Sequence, residues 1–205
     1  GMRESDGSLK GEFWSRGNPK ESWTAVRGAH NLRDPLGIAA EQSLGKDLEF
    51  EITALDGHIL TESDFEGKPV LIYVFGSWCP NCADQAELLA EYAREDYADS
   101  DLEIIGIAFE YTGNEERDIK QIRAYRKRFD IPWTLSLGGI TSKRLAARSL
   151  PFTDQVVSFP STYFADRNHK IKAVHVGFNG PATGSYYFKE RERFKNKINE
   201  ILADQ

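Results

Sequence analysis

The sequence predicts an α/β fold: a mixed sheet built on one βαβ unit and flanked by hairpins. Val70 to Phe75 is a nearly continuous apolar run of strand length, the pattern of a strand buried on both faces. Leu102 to Phe109 is a second such run, and between the two Ala86, Leu89, Ala90, Ala93 and Tyr97 fall on one helical face. Turn residues at Asp56-Gly57 and at Asp166-Arg167-Asn168-His169 each separate two strand-like segments.

Residues 1–45 mix Gly, Pro and Asn with Phe13, Trp14 and Trp23 and hold no sustained period, so an irregular N-terminal extension is expected, docked by its aromatics on a domain spanning 46–205. From Asp47, alternation of Leu48, Phe50 and Ile52, the Asp56-Gly57 turn and His58-Ile59-Leu60 make a hairpin. Beyond the βαβ unit, Ile119, Ile122, Tyr125 and Phe129 mark a helix and Trp133 to Leu137 a short strand. Ser142 to Leu150 marks a further helix, which Pro151 stops. Ser161 to Asp166 and Lys170 to Val176 form a second hairpin, and Phe194, Ile198, Ile201 and Leu202 line the last helix. The order is ββ, βαβ, αβα, ββα.

A chain of 205 residues, 40% hydrophobic, can fill one substantial core. With 26 Lys and Arg against 32 Asp and Glu it has no extended basic field, so nucleic acid is not an expected partner. The basic run Arg123, Arg126, Lys127 and Arg128 reads as a solvated helix face, and glycine-rich Gly177 to Gly184 lacks phosphate-cradling spacing and reads as a connecting loop. No apolar run approaches the roughly 20 residues that cross a bilayer, and no signal-peptide pattern opens the chain. Gly1 ahead of Met2 reads as the remnant of a cleaved tag, so this says nothing about export of the natural protein.

The chemistry concentrates in Trp78-Cys79-Pro80-Asn81-Cys82. A disulfide between the only two cysteines closes too small a loop to constrain the unfolded chain, so a structural staple explains them poorly. Half a zinc site would need two more ligands, and His30, His58, His169 and His175 show no close pairing; no metal is expected. Cys79 instead falls where a buried strand gives way to a helix, with Pro80 suited to the first helical turn. Free N–H groups and the positive helix end favour a thiolate there, which makes Cys79 a nucleophile near neutral pH. Cys82, one turn on and inside the helix, is expected to stay buried and protonated until it resolves a mixed disulfide on Cys79. The pair needs no cofactor beyond its own dithiol.

Over roughly 46–205 the chain resembles the thioredoxin superfamily, and more closely its exported TlpA/ResA-like branch, which is related to AhpC/TSA proteins. The resemblance rests on Gly67-Lys68-Pro69, Gly76-Ser77-Trp78-Cys79-Pro80-Asn81-Cys82, Ser158-Phe159-Pro160-Ser161-Thr162 and Gly177-Phe178-Asn179-Gly180-Pro181-Ala182-Thr183-Gly184. It implies a thioredoxin-like three-layer sandwich with a central mixed sheet, an N-terminal β-hairpin and an inserted αβ element between Glu115 and Leu137. It further implies that Pro160 is a cis proline packed against the cysteines, and that Trp78, Pro80, Asn81, Phe159 and Pro160 meet the substrate. The implied function is reduction of protein disulfides in the periplasm or in an exported, membrane-anchored full-length protein, with electrons from a membrane thiol donor.

Two positions depart from that pattern. Tyr73 stands where thioredoxin has a buried Asp, and Gln85 where many relatives have an acid three residues after the second Cys. Glu110, at the end of the neighbouring strand, is the nearest substitute and the expected proton acceptor for Cys82. Two other functions fit the same residues. One is a redox-responsive binding module that does not turn over. The other is a thiol peroxidase, a minor option because Ile72 and Gly76 stand where a peroxidatic cysteine is preceded by Pro and Thr.

Overall fold

The computed structural model describes residues 1–14, 20–26, 42–142, 146 and 148–203. The chain divides into two compact units, Gly1–Arg33 and Asp34–Gln205. The first contains a three-stranded antiparallel sheet in sequential order: β1 (Met2–Arg3), β2 (Leu9–Phe13) and β3 (Glu21–Ala25). The irregular extension expected over 1–45 is therefore replaced, in its first part, by strands. They are short and almost wholly exposed, so no face is buried to leave an alternating pattern in the sequence. His30 lies outside the described residues.

The second unit begins with a hairpin, β4 (Glu51–Thr53) and β5 (Ile59–Thr61), that forms its own two-stranded sheet. The central sheet follows: β6 (Val70–Phe75), β7 (Glu103–Glu110), β8 (Thr134–Ile140), β9 (Ser161–Ala165) and β10 (Ile171–Val176), in the order β10-β9-β6-β7-β8. β6, β7 and β8 run parallel, and β9 and β10 antiparallel, as the mixed sheet requires. The helices are α1 (Pro80–Arg94), α2 (Glu115–Arg128) and α3 (Ser185–Ala203).

Every residue of β6 is buried, and the period of two sorts its side chains between two cores. Leu71, Tyr73 and Phe75 face α1, α2 and α3 through residues such as Leu89, Ile122 and Phe194. Val70, Ile72 and Val74 face Leu48, Phe50 and Ile52 of the hairpin arm together with Leu150, Phe152 and Val156. Helices, sheet, and hairpin with 146–156 thus make the three layers.

β8 runs to Ile140, three residues past its predicted end at Leu137. Gly138 and Gly139 carry no side-chain signal, and a register shift against Ala108 and Phe109 accompanies them. β8 and α2 are the inserted αβ element, and Asn114 caps α2 by accepting the Arg117 N–H at 3.0 Å. The run Arg123, Arg126, Lys127 and Arg128 is solvent-exposed. The helix expected over Ser142–Leu150 falls partly outside the described residues; buried Ala146 within it donates its N–H to Ser142 O at 2.7 Å.

No helix among the described residues is long and apolar enough to cross a membrane. Ile72, fully buried at the centre of the sheet, tests the two-core architecture. Ile72→Ala is expected to lower unfolding free energy by about 2–5 kcal/mol in urea titration. A loss below about 1 kcal/mol would place β6 at an edge.

Candidate active site around Cys79 and Cys82

β6 ends at Phe75, the chain turns through Gly76-Ser77-Trp78, and α1 begins at Pro80. Cys79 is the N-cap in extended conformation (φ −92°, ψ 119°), and Pro80 occupies the first helical turn, where its missing N–H leaves nothing unpaired. The Cys79 N–H closes the turn onto Gly76 O at 3.0 Å, and Cys79 O accepts the Ala83 N–H at 3.1 Å. Both cysteines are free thiols. Cys82 is fully buried, and Cys79, expected at an exposed helix end, is only 8% exposed. The loop carrying Phe159 explains the difference: Cys79 Sγ lies 3.5 Å from the Phe159 carbonyl oxygen. Pro80 and Asn81 beside it are open to solvent.

The two sulfurs are driven apart in acidity. Cys79 is lowered to about 6, chiefly by a hydrogen bond from the Cys82 side chain, with the Cys82 and Asn81 backbone N–H groups adding to it and burial opposing. Cys82 is pushed strongly up, first by burial and then by its bond and charge interaction with Cys79. At neutral pH the pair holds one thiolate on Cys79 and one proton on Cys82.

Behind Cys82 lies a second arrangement. Tyr73 Oη donates to Cys82 O at 2.6 Å, Tyr125 Oη to the same oxygen at 2.8 Å, and the hydroxyls stand 3.1 Å apart. Gln85 is also fully buried; its Nε2 donates to Thr162 Oγ1 at 2.5 Å and its Oε1 has no hydrogen-bond partner among the described residues. Neither position carries an acid, in line with the departures visible in the sequence.

Glu110 sits at the end of β7 with 4% exposure, and burial raises its carboxyl above the usual range against the pull of Ser77. Its two oxygens accept the Ser77 N–H and hydroxyl, both at 2.8 Å. Ser77 is the only hydrogen-bond partner of its carboxylate among the described residues, and no hydrogen bond joins that carboxylate to Cys82, whose proton it is expected to accept. Glu110 thereby fastens the loop that delivers Cys79 to the helix end.

Trp78 is held over the same loop by its Nε1–H to Phe109 O at 2.9 Å. A Cβ at Gly76 would stand 2.3 Å from the indole nitrogen, so only glycine leaves the ring room there. The Trp78 ring meets Tyr111 at 4.5 Å between centroids and Phe159 edge-on at 5.8 Å. Tyr111 is 65% exposed, which makes this cluster the rim of the site. The Phe159–Pro160 peptide is cis, and buried Pro160 gives its carbonyl to the Gly177 N–H at 2.8 Å.

Folding thus gathers Cys79, Cys82, Trp78, Pro80, Asn81, Phe159 and Pro160 in one place, with Glu110 one loop away. Sequence reasoning missed Ser77, Tyr111 and Tyr125. Tyr125 resembles any apolar residue on the α2 face, and Ser77 any turn residue. Only the placement of Tyr111 just after a buried strand could have marked it.

The chain matches the model of the AhpC/TSA family over residues 45–174. It is 26% identical over 129 residues to thioredoxin-like protein YneN of Bacillus subtilis, covering 63% of this chain and 68% of that protein. It is 25% identical over 134 residues to thiol-disulfide oxidoreductase ResA of Bacillus thuringiensis, covering 64% and 68%. A crystal structure of a thioredoxin-family thiol:disulfide interchange protein from Chlorobium tepidum superposes with a TM-score of 0.58 at 18% identity, covering 77% of this chain and 95% of that one. With the matched segment running from the hairpin arm through both cysteines and the cis proline into β10, this chain belongs to the AhpC/TSA family.

Proposed function

We propose that this chain, a thiol-disulfide oxidoreductase, reduces disulfides in other proteins outside the cytoplasm, using Cys79 as the attacking and Cys82 as the resolving thiol of its 46–205 domain. The observation that carries this reading is the opposite displacement of the two thiol pKa values, one lowered to about 6 and the other strongly raised, on adjacent turns of one helix start. Cys79 thiolate attacks one sulfur of a substrate disulfide; a new S–S bond forms, the old one breaks, and the departing sulfur takes up a proton. Cys82 then loses its proton and attacks Cys79, releasing the second substrate thiol and leaving the Cys79–Cys82 disulfide. A thiol donor, membrane-bound by the resemblance noted above, must supply two electrons to return the pair to the dithiol.

The rim suits a protein substrate. Trp78, Tyr111 and Phe159 offer aromatic area beside Cys79, which is itself only 8% exposed, and Pro80 and Asn81 next to it are open to solvent. In this reading Glu110 acts through Ser77 by holding the loop, and the proton that Cys82 gives up ends on the departing substrate sulfur.

Cys82→Ser is expected to accumulate mixed disulfides on Cys79, visible as reductant-sensitive adducts on non-reducing gels, while Cys79→Ser forms none. Adducts accumulating in Cys79→Ser and not in Cys82→Ser would reverse the roles, and none in either would favour a binding module. The direction is read from the reduction potential. A nucleophile near 6 stabilises the reduced form somewhat more than thioredoxin's near 7 and far less than the 3.5 of DsbA. The expected value lies between about −270 and about −200 mV by redox titration. A potential near about −120 mV would make the chain an oxidant.

A further inference from the structure

We infer that Tyr73 and Tyr125 are a positioning pair for the resolving step: they anchor the peptide of Cys82 and hydrogen-bond its side of the site while its thiolate forms. The inference rests on the oxidoreductase reading above and concerns only its second half.

The pair comes from two elements, Tyr73 from β6 and Tyr125 from α2, yet both hydroxyls converge on one backbone oxygen, that of Cys82 in α1. Phe75 stacks against both rings, at 4.7 and 5.0 Å, which fixes their planes. Tyr73 is fully buried and Tyr125 5% exposed, so water cannot substitute for either hydroxyl. A carbonyl inside a helix already has the N–H four residues on as its partner. Two phenols added to it tie the first turn of α1 to the sheet and to α2. With that peptide fixed, the Cys82 sulfur can move only by rotation about its own side chain.

Tyr73 has one hydroxyl hydrogen, which goes to Cys82 O while the thiol is protonated; as the thiolate forms that hydrogen can turn to the sulfur, leaving the carbonyl to Tyr125, and with the Gly76 N–H it favours the thiolate against the cost of burial. In the mixed disulfide Cys79 is bonded and carries no charge, so these donors are what remains to stabilise a charge on Cys82. The Cys82 S–H bond breaks, Cys82 sulfur bonds to Cys79 sulfur, and the bond from Cys79 to the substrate sulfur breaks. That sulfur leaves with the electron pair and takes up the proton. Burial holds both tyrosine hydroxyls above their ordinary range, so they keep their own protons and serve as donors, not bases. Among charged neighbours, Arg128 acts on Tyr125 through its charge, Glu110 is engaged by Ser77, and Asp84 packs against Gly180. No carboxylate hydrogen-bonds to the pair among the described residues.

The test uses the full chain, fully reduced, and 5,5′-dithiobis(2-nitrobenzoate), whose coloured thiolate is released once when Cys79 attacks and again when Cys82 resolves. Tyr73→Phe, which keeps the ring, is expected to slow the second release about tenfold, the worth of one buried hydrogen bond, and to leave the first unchanged. It should also move the pH at which the second release is half-maximal upward, a change that mere loss of packing would not produce. Tyr125→Phe should act in the same direction by a smaller factor. Should Tyr73→Phe unfold, seen as both equivalents released in a single fast phase, Tyr125→Phe carries the test. Second releases at the wild-type rate and pH midpoint in the folded variants overturn the inference and leave the oxidoreductase reading standing. Absence of any first release from the unaltered protein near neutral pH would instead overturn that reading itself.

Discussion

The site depends on one junction, where β6 stops at Phe75 and α1 starts at Pro80 with Cys79 as its N-cap. That placement puts one sulfur among unpaired helix N–H groups and its partner one turn deeper, inside the first core. The same three-residue spacing on an exposed helix would give two thiols of ordinary acidity. Here the turn geometry and burial together make one an acid near 6 and keep the other protonated. The asymmetry is electrostatic in origin, and it exists only because β6 is buried on both faces and carries the junction to a fixed place.

Around that junction the molecule uses neutral groups where a carboxylate would be the simpler device. The buried faces behind Cys82 present Tyr73, Tyr125, Gln85 and Thr162, all uncharged, and the buried carboxylate at the end of β7, Glu110, is spent on Ser77. A buried carboxylate facing Cys82 would add its own charge to the resolving thiol and make its acidity depend on a second titration. Phenols that keep their protons supply hydrogen bonds without that coupling. The aromatic rim does a separate task, presenting Trp78, Tyr111 and Phe159 where a substrate chain approaches Cys79.

Elements that bury a side were legible in the sequence, and elements that do not were not. The runs Val70–Phe75 and Leu102–Phe109, the helical face of Ala86, Leu89 and Ala90, and the hairpins at Asp56-Gly57 and Asp166–His169 all lie where their patterns put them. β1 to β3 left no pattern because their ladders hold exposed side chains, and β8 was cut short because Gly138 and Gly139 have none. The site divided along a similar line. Cys79 and Cys82 are marked by residue type and spacing, and Phe159-Pro160 by the resemblance to thioredoxin-like proteins. Tyr125 lies 43 positions from Cys82 and reaches its carbonyl only through the packing of α2 on the sheet, which no local pattern records. Glu110 shows the converse: its position at the strand end was correct, but which neighbour its oxygens meet was decided by Ser77, two residues along the turn from Phe75.

The chemistry of the site stands on the unequal acidity of two thiols in one helix turn. Its most direct test is alkylation of the fully reduced, folded protein by iodoacetamide over a pH series, with each site located by mass spectrometry. Labelling of Cys79 is expected to rise through a midpoint near 6 as its thiolate appears, with Cys82 unmodified until the protein is unfolded. Faster labelling of Cys82, or a Cys79 midpoint at the free-thiol value of about 8.5, would contradict it.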